Sequence, residues 1–256
     1  MEFEEGQILR LADGVHLRNA VDNCLWADLG NGAVVVDTLE DPGLAPRIEQ
    51  YVHEITGQQV RWVINTHWDE DHIAGNPYFA SRGATIIAHE SCGPATDARD
   101  GQPDVTFGGS YVLEGDGREA RIEWLGGTHT PADSVVYLPW AKVLHVADLF
   151  GWGLAMQRGD TPERAARTDE VLGRILSYEA EIVVCGHGPV LTQEHVRRYL
   201  NYFRELTATV PRLAAEGRSL EQIQAAFPPP EDMADWWRFV DWKHQRNVER
   251  MALPVG

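Results

Sequence analysis

Residues 66–72 read Thr66-His67-Trp68-Asp69-Glu70-Asp71-His72, directly after an apolar run at residues 60–65. The imidazoles of His67 and His72 and the carboxylates of Asp69 and Asp71, within six positions, can be aimed at one point by a single tight turn. Imidazole with carboxylate is the ligand set of zinc, iron and manganese, whereas calcium and magnesium prefer oxygen alone. Taken alone, the string equally describes a solvated acidic loop. Three later segments share its design, a potential ligand at the end of an apolar run. They are Gly126-Gly127-Thr128-His129-Thr130, Leu144-His145-Val146-Ala147-Asp148 and Ile182-Val183-Val184-Cys185-Gly186-His187-Gly188. Glycines beside His129 and His187 let the backbone turn sharply.

The elements that must position these residues alternate between strands and helices. Short alternations at 7–12 and 15–20 flank a turn at Asp13-Gly14, and 24–29 with 33–37 form a hairpin around Gly30-Asn31-Gly32. Residues 44–56 carry Leu44, Ile48, Tyr51, Val52 and Ile55 on one helical stripe. The buried strand 60–65 delivers the His67 cluster. A helix over 72–80 and a strand over 84–89 complete a β-α-β pattern. The middle is again rich in strands, at 111–113, 120–125, 134–138 and 142–146. Helices over 161–178 and 192–216 enclose a last strand at 181–185. A helix at 219–227, the stop Pro228-Pro229-Pro230 and a Trp-rich helix over 232–251 end the chain. Each half thus reads as strands followed by an α/β section, which predicts two β-layers packed between helices.

At 256 residues with a net charge of -17, the chain is large enough for a substantial core and too acidic for non-specific binding to nucleic acid or an anionic membrane. The acidic N-terminus has no apolar segment of the secretory type, and no run reaches the ~18 apolar residues of a membrane helix. Cys24, Cys92 and Cys185 are odd in number and widely spaced, which favours free buried thiols in a reducing compartment. The expectation is a cytoplasmic protein acting on a small molecule, with no nucleic-acid or membrane partner; the sequence leaves its oligomeric state open.

In order and spacing, His67, Asp69, Asp71, His72, His129, Asp148 and His187 resemble the metallo-β-lactamase-fold hydrolase superfamily over about residues 7–190. That family carries an HxHxDH signature after a strand, then a single His, a bridging Asp and a final His in a GHG-type turn. The resemblance implies an α/β fold, the αββα four-layer sandwich, for residues 1–190, with 191–256 as a C-terminal helical extension that packs on the core and lines the pocket. It implies two divalent ions, zinc foremost. His67, residue 69 and His129 would bind one, Asp71, His72 and His187 the second, and Asp148 would bridge them. Asp69 stands where the family usually has His. A carboxylate there is harder and negative, which moves the preference toward iron or manganese or leaves that position weak. Flavodiiron proteins are similar at this place, with an acidic residue and iron.

Such a centre generates hydroxide at neutral pH by lowering the pKa of bound water to ~7. Asp71 is the expected catalytic base as well as a ligand, and an N-cap of a helix starting near His72 is its structural alternative. Asp37, at a strand end, and Ser134 are candidates for holding metal-bound histidines from behind. Asp133 is read as a turn cap. His16, His53, His195 and His244 are read as satisfied bystanders, His145 as pointing away from Asp148 or into the core, and His89 as a residue able to line the cleft.

Trp68, Trp152, Trp236 and Trp237 are the candidate substrate contacts, with core packing as the alternative for the tryptophans beyond the motif. Lys243, Arg246 and Arg250 are expected to be solvated, and 153–170 to form a flap. The function expected is metal-dependent hydrolysis of an ester, thioester or lactone. The alternative is an iron-dependent oxidoreductase or lyase on the same fold.

Overall fold

The computed structural model describes residues 6–95, 101–155 and 162–252. Four short strands open the chain, β1 (Gln7–Ala12), β2 (Val15–Asn19), β3 (Cys24–Asp28) and β4 (Ala33–Val36), each pairing antiparallel with the next. From β4 the sheet continues in parallel through β5 (Val60–Asn65), β6 (Thr85–His89) and β7 (Val105–Phe107). The change of direction needs crossovers, and helix α1 (Ala45–Thr56) supplies the first, ending at Gly57 in the left-handed conformation. The second sheet holds β8 (Ser110–Glu114), β9 (Glu119–Trp124), β10 (Ser134–Leu138), β11 (Val143–His145) and β12 (Ile182–Val184), in the order β12-β11-β10-β9-β8.

Inward faces of both sheets meet in one apolar layer containing Leu17, Val36, Ile64, Ile122 and Val136. The outer face of the first sheet packs on α1 and on the helix α3 (Asn76–Ser81) through Trp26, Ile48, Val52 and Phe79. The outer face of the second sheet carries α4 (Pro162–Ile175) and α5 (Gln193–Ala215) through Val135, Leu172, Tyr199 and Phe203. The architecture is therefore an αββα sandwich. Helices α6 (Leu220–Ala226) and α7 (His244–Ala252) share that last core through Ile223 and Val248. Among the described residues no helix is long and apolar enough to cross a membrane. The three cysteines are free and buried.

Several expectations are corrected. The helix expected over 72–80 is two pieces, α2 (Glu70–Ile73) and α3, separated at Gly75, where a Cβ would lie 2.6 Å from the Thr38 carbonyl. The chain pinches there to bring the turn at 67–72 against Thr38, just after β4, whose N–H donates to the His72 carbonyl at 2.7 Å. Strand β7, only three residues long, went unpredicted.

The continuous Trp-rich helix is also broken. Arg238 takes φ 55°, Phe239–Lys243 wind as a π-helical turn, and α7 begins only at His244. Tertiary packing overrides periodicity here. Trp237 folds onto Gly188, where a Cβ would sit 2.5 Å from its ring, and Phe239 lies where a Cβ of Gly153 would be, at 2.6 Å. Lys243 is buried rather than solvated, and Arg250 donates to the Ala155 carbonyl at 2.7 Å. His16 and His244 are buried, the latter between the Tyr202 hydroxyl and the Phe227 carbonyl. Of the expected flap, 162–170 belong to α4 and 156–161 lie outside the described residues.

Candidate metal centre

All four ligand-bearing segments leave their strands at the same edge of the sandwich. His67 and the turn 68–72 follow β5, His129 follows β9, Asp148 follows β11 and His187 follows β12. The donor atoms fall into three groups, each within 4.8 Å: His67, Asp69 and His129; His67, His72 and Asp148; and Asp71, His72 and His187. The Asp69 Oδ2 lies 3.1 Å from His129 Nε2 and 3.8 Å from His67 Nε2. The Asp71 Oδ2 lies 3.2 Å from His187 Nε2 and 3.7 Å from His72 Nε2. Asp148 spans both sides, with Oδ2 at 3.3 Å from His187 and 3.7 Å from His129, and Oδ1 at 3.7 Å from His72. A carboxylate so placed has the reach of a bridge.

Three of the imidazoles are tethered through Nδ1, which turns Nε2 inward. His72 Nδ1 meets Asp37 Oδ2 at 2.8 Å, His67 Nδ1 meets Thr66 Oγ1 at 3.0 Å, and His187 Nδ1 meets the Val21 carbonyl and Asp22 Oδ1, both at 3.1 Å. The loop carrying His129 is folded on Asp133, whose carboxylate accepts from the backbone N–H groups of His129 and Thr130 and from the Thr130 hydroxyl. Asp133 is the turn cap its position suggests. Gly186 has to be glycine, because a Cβ there would lie 2.3 Å from Asp148 Oδ1 and 2.6 Å from His72 Cε1.

The fit of this cage to a cation shows in what it leaves unpaired. His67 Nε2, His72 Nε2 and Asp148 Oδ1 are buried, converge on one place and have no hydrogen-bond partner. A buried polar atom without a partner costs ~1–3 kcal/mol, and three pointing together are what a divalent ion satisfies. Charge follows the same geometry. Burial works against a proton on His72, but Asp37 and Asp148 outweigh it and raise its pKa to about 9. His67 lacks so close a carboxylate, so burial, helped by His72, lowers it to about 3. Burial would raise Asp71, yet the His187 hydrogen bond and the charge on His72 hold it down at about 2.

Other residues singled out by sequence sit elsewhere. Helix α2 begins at Glu70, so Asp71 lies in its first turn and is not an N-cap. Ser134 gives its hydroxyl to the Ala132 carbonyl and touches the site only through its backbone N–H, which donates to the Thr66 carbonyl. Its expected contact with a ligand histidine is replaced by this strand link. His145 is buried, accepts the Ala147 N–H at Nδ1 and belongs to none of the donor groups. His89 stacks on Trp124, bonds the Gly108 carbonyl and belongs to none of the donor groups.

Trp68 packs beside Ala88, Cys92 and Ala132. Trp152 and Trp236 are largely buried, and with Trp237, Val21, Pro189 and Val190 they line a groove of about 950 Å³ behind the His187 loop. A second cleft, of about 600 Å³, opens at His129 between Trp124, Arg164 and Arg167. Sequence reasoning missed Thr66 and Asp22. A hydroxyl directly before the motif His, and an acid at a strand-to-strand turn, were the only signals available.

A chain with this fold and cage finds relatives of the same kind. A hydroxyacylglutathione hydrolase from Acidiphilium cryptum (strain JF-5) is 28% identical over 219 residues, 84% of this chain and 82% of that protein. The 2,4-dinitroanisole O-demethylase subunit alpha from Nocardioides sp. (strain JS1661) is 28% identical over 149 residues. That match takes in 56% of this chain and 44% of the subunit, so the chain spans less than half of the subunit's length. Among solved structures, a metallo-beta-lactamase from Pontibacter korlensis superposes with a TM-score of 0.69 at 22% identity, over 77% of this chain and 98% of that one, a likeness of fold. The family model described as "Metallo-beta-lactamase superfamily" matches residues 20–187, from the loop after β2 to the last histidine of the cage, and the chain belongs to that superfamily.

Proposed function

We propose that the chain is a metal-dependent hydrolase of a small ester, thioester or lactone, with two divalent ions, zinc foremost, held by His67, Asp69, Asp71, His72, His129, Asp148 and His187. The observation that carries this reading is the convergence of three buried, unpartnered donor atoms inside a ring of further carboxylates and imidazoles. When bound, such ions acidify water to near-neutral pKa and polarise an acyl oxygen. The residues supply the rest. Asp71 is one-third exposed and stays ionised at neutral pH, so its carboxylate can reach a water acidified by the ions and orient it by accepting its hydrogen bond. His187, hydrogen-bonded behind by Asp22, keeps that carboxylate in place. Asp148 sets the spacing between the two sides, and Asp37 with Thr66 fixes the rings of His72 and His67.

The relationship to a hydroxyacylglutathione hydrolase supports transfer of an acyl group to water. The Trp152–Trp236–Trp237 groove lies behind the His187 loop and is lined by none of the seven cage residues. Trp68, beside the motif, and the Trp124 wall of the cleft at His129 are instead the substrate-facing surfaces in this reading. They fit an apolar or ring-bearing group, since indole walls recognise faces rather than charges. The test is a panel of esters, thioesters and lactones assayed with the zinc-reconstituted chain and with Asp71→Asn. Turnover lost in that variant supports the reading, and an inert wild-type chain that has bound its metal refutes it.

A second reading rests on Asp69. Three carboxylates and four imidazoles form a harder donor set than the usual family motif, which suits iron and an oxygen-dependent reaction or a lyase. Visible absorption of the purified protein and loss of turnover under anaerobic conditions distinguish it from the hydrolase.

A further inference from the structure

The turn that follows Asp148 is held almost entirely by side chains from beyond the family-matched segment. Gly151, Trp152 and Gly153 run through three successive left-handed conformations, φ 56°, 51° and 86°. For Trp152 this is a strained conformation, which persists only where the surroundings over-determine it. Four consecutive carbonyls then face inward, and each accepts from one side chain. Lys243 Nζ donates to Trp152 O at 3.4 Å, Asn247 Nδ2 to Gly153 O at 2.6 Å, the Tyr199 hydroxyl to Leu154 O at 2.9 Å and Arg250 to Ala155 O at 2.7 Å. Asn247 Oδ1 also accepts the Ala155 N–H at 2.8 Å.

Lys243, Asn247 and Arg250 are spaced i, i+4, i+7, so one polar stripe running from the π-helical turn into α7 lies along the backbone of 152–155. Both Lys243 and Asn247 are buried. A buried amine and a buried amide are costly unless they find acceptors, and here the carbonyls of the turn and of Trp237 accept from them. Lys243 reaches further: it donates to the Trp237 carbonyl at 2.8 Å and lies 4.3 Å from the centre of the Trp237 ring, which covers Gly188. One amine therefore ties the loop after Asp148 to the loop after His187.

We infer that Lys243, Asn247, Arg250 and Tyr199 form a clamp that reads the backbone of 152–155 and so positions Asp148 and His187 for the metal ions. The inference rests on the metal-centre reading of the cage. These are positioning residues; none contacts a donor atom of the cage. The C-terminal helices thus belong to the metal centre although the family match ends at His187.

The test measures zinc affinity by competition with a chromophoric chelator, together with the melting temperature of metal-free and zinc-loaded protein. The set is wild type, Lys243→Met, Tyr199→Phe and the exposed control Ile55→Ala on α1. Tyr199→Phe removes one hydroxyl and keeps the packing, so it yields a folded protein even where Lys243→Met does not. Expected are a zinc affinity about tenfold lower in Lys243→Met, a smaller loss in Tyr199→Phe, a reduced zinc-induced rise in melting temperature in both, and no change in Ile55→Ala. A folded Tyr199→Phe or Lys243→Met that melts lower but binds zinc as the wild type does would reduce the clamp to a structural role and overturn the inference. A wild-type chain that binds no zinc would overturn the metal-centre reading itself and the inference with it.

Discussion

Asp37 Oδ2 lies 2.8 Å from His72 Nδ1, with both side chains essentially inaccessible to solvent. The same oxygen accepts from Thr66 Oγ1 at 2.8 Å, and that hydroxyl is 3.0 Å from His67 Nδ1. With the Thr66 O–H donating to Asp37, the hydroxyl oxygen is left to accept from His67 Nδ1–H. One carboxylate at the end of β4 thereby fixes the tautomer of two imidazoles, one directly and one through a hydroxyl, and leaves both Nε2 atoms as acceptors for a cation. Asp37→Asn keeps the shape but loses the charge and one acceptor. It is expected to weaken metal binding by roughly 10–100-fold, read by competition with a chelator.

Much of this arrangement was legible in the chain. Apolar runs such as Val60–Asn65 and Ile182–Val184 are buried strands that had to end somewhere, and the polar residue after each end marked the shared edge of the sandwich. Asp37 could be read because strand β4 ends one residue before it. What stayed hidden depends on tertiary contact. No periodicity shows that Trp237 would turn back onto Gly188 and break the Trp-rich helix at Arg238, or that Lys243 would be buried against the Trp152 carbonyl, seven residues past β11. A Lys-Asn-Arg stripe on a helix looks solvated until its partner is known to be bare backbone. Gly186 likewise reads as a turn glycine, and only the structure shows what would collide with a side chain there.

Gly186→Ala follows from that collision. A methyl group within 2.3 Å of Asp148 Oδ1 and 2.6 Å of His72 Cε1 has to displace one or both. The variant should keep its secondary structure by circular dichroism and lose at least one ion by elemental analysis. As a contrast, Gly173→Ala within α4 meets nothing within 4 Å and is expected to raise stability by about 0.4–1 kcal/mol in chemical denaturation.

Asp69 separates the two halves of the proposed centre. Asp69→Ala should release the ion on the His67–His129 side and keep the one on the Asp71–His187 side, halving the metal content. Asp69→His, which restores an imidazole, should raise the ratio of zinc to iron taken up from a mixture of both. Unchanged metal content in Asp69→Ala would exclude Asp69 as a ligand.

Metal-free protein carries a particular pH signature. The folded pKa of His72 is about 9, above the ~6.5 of a free imidazole, so its pairing stabilises the fold below pH ~6.5 and is lost as pH rises through about 9. His67 and His145 go the other way. Burial lowers them to about 3 and about 4, so the unfolded chain binds their protons first and stability falls as pH drops below ~6.5. Without metal, the melting temperature should peak near pH ~6.5 and decline on both sides. With zinc the alkaline decline should disappear, because binding requires the deprotonated imidazole. Thermal scans from pH 4 to pH 9 with chelator and with zinc check both limbs.

The most direct measurement is the metal content of the chain purified without chelator or polyhistidine tag, by inductively coupled plasma mass spectrometry, beside Asp148→Ala. The proposed centre predicts two divalent ions per wild-type chain and at most one in the variant that lacks the spanning carboxylate. A wild-type chain that holds no metal, even after reconstitution, would contradict it.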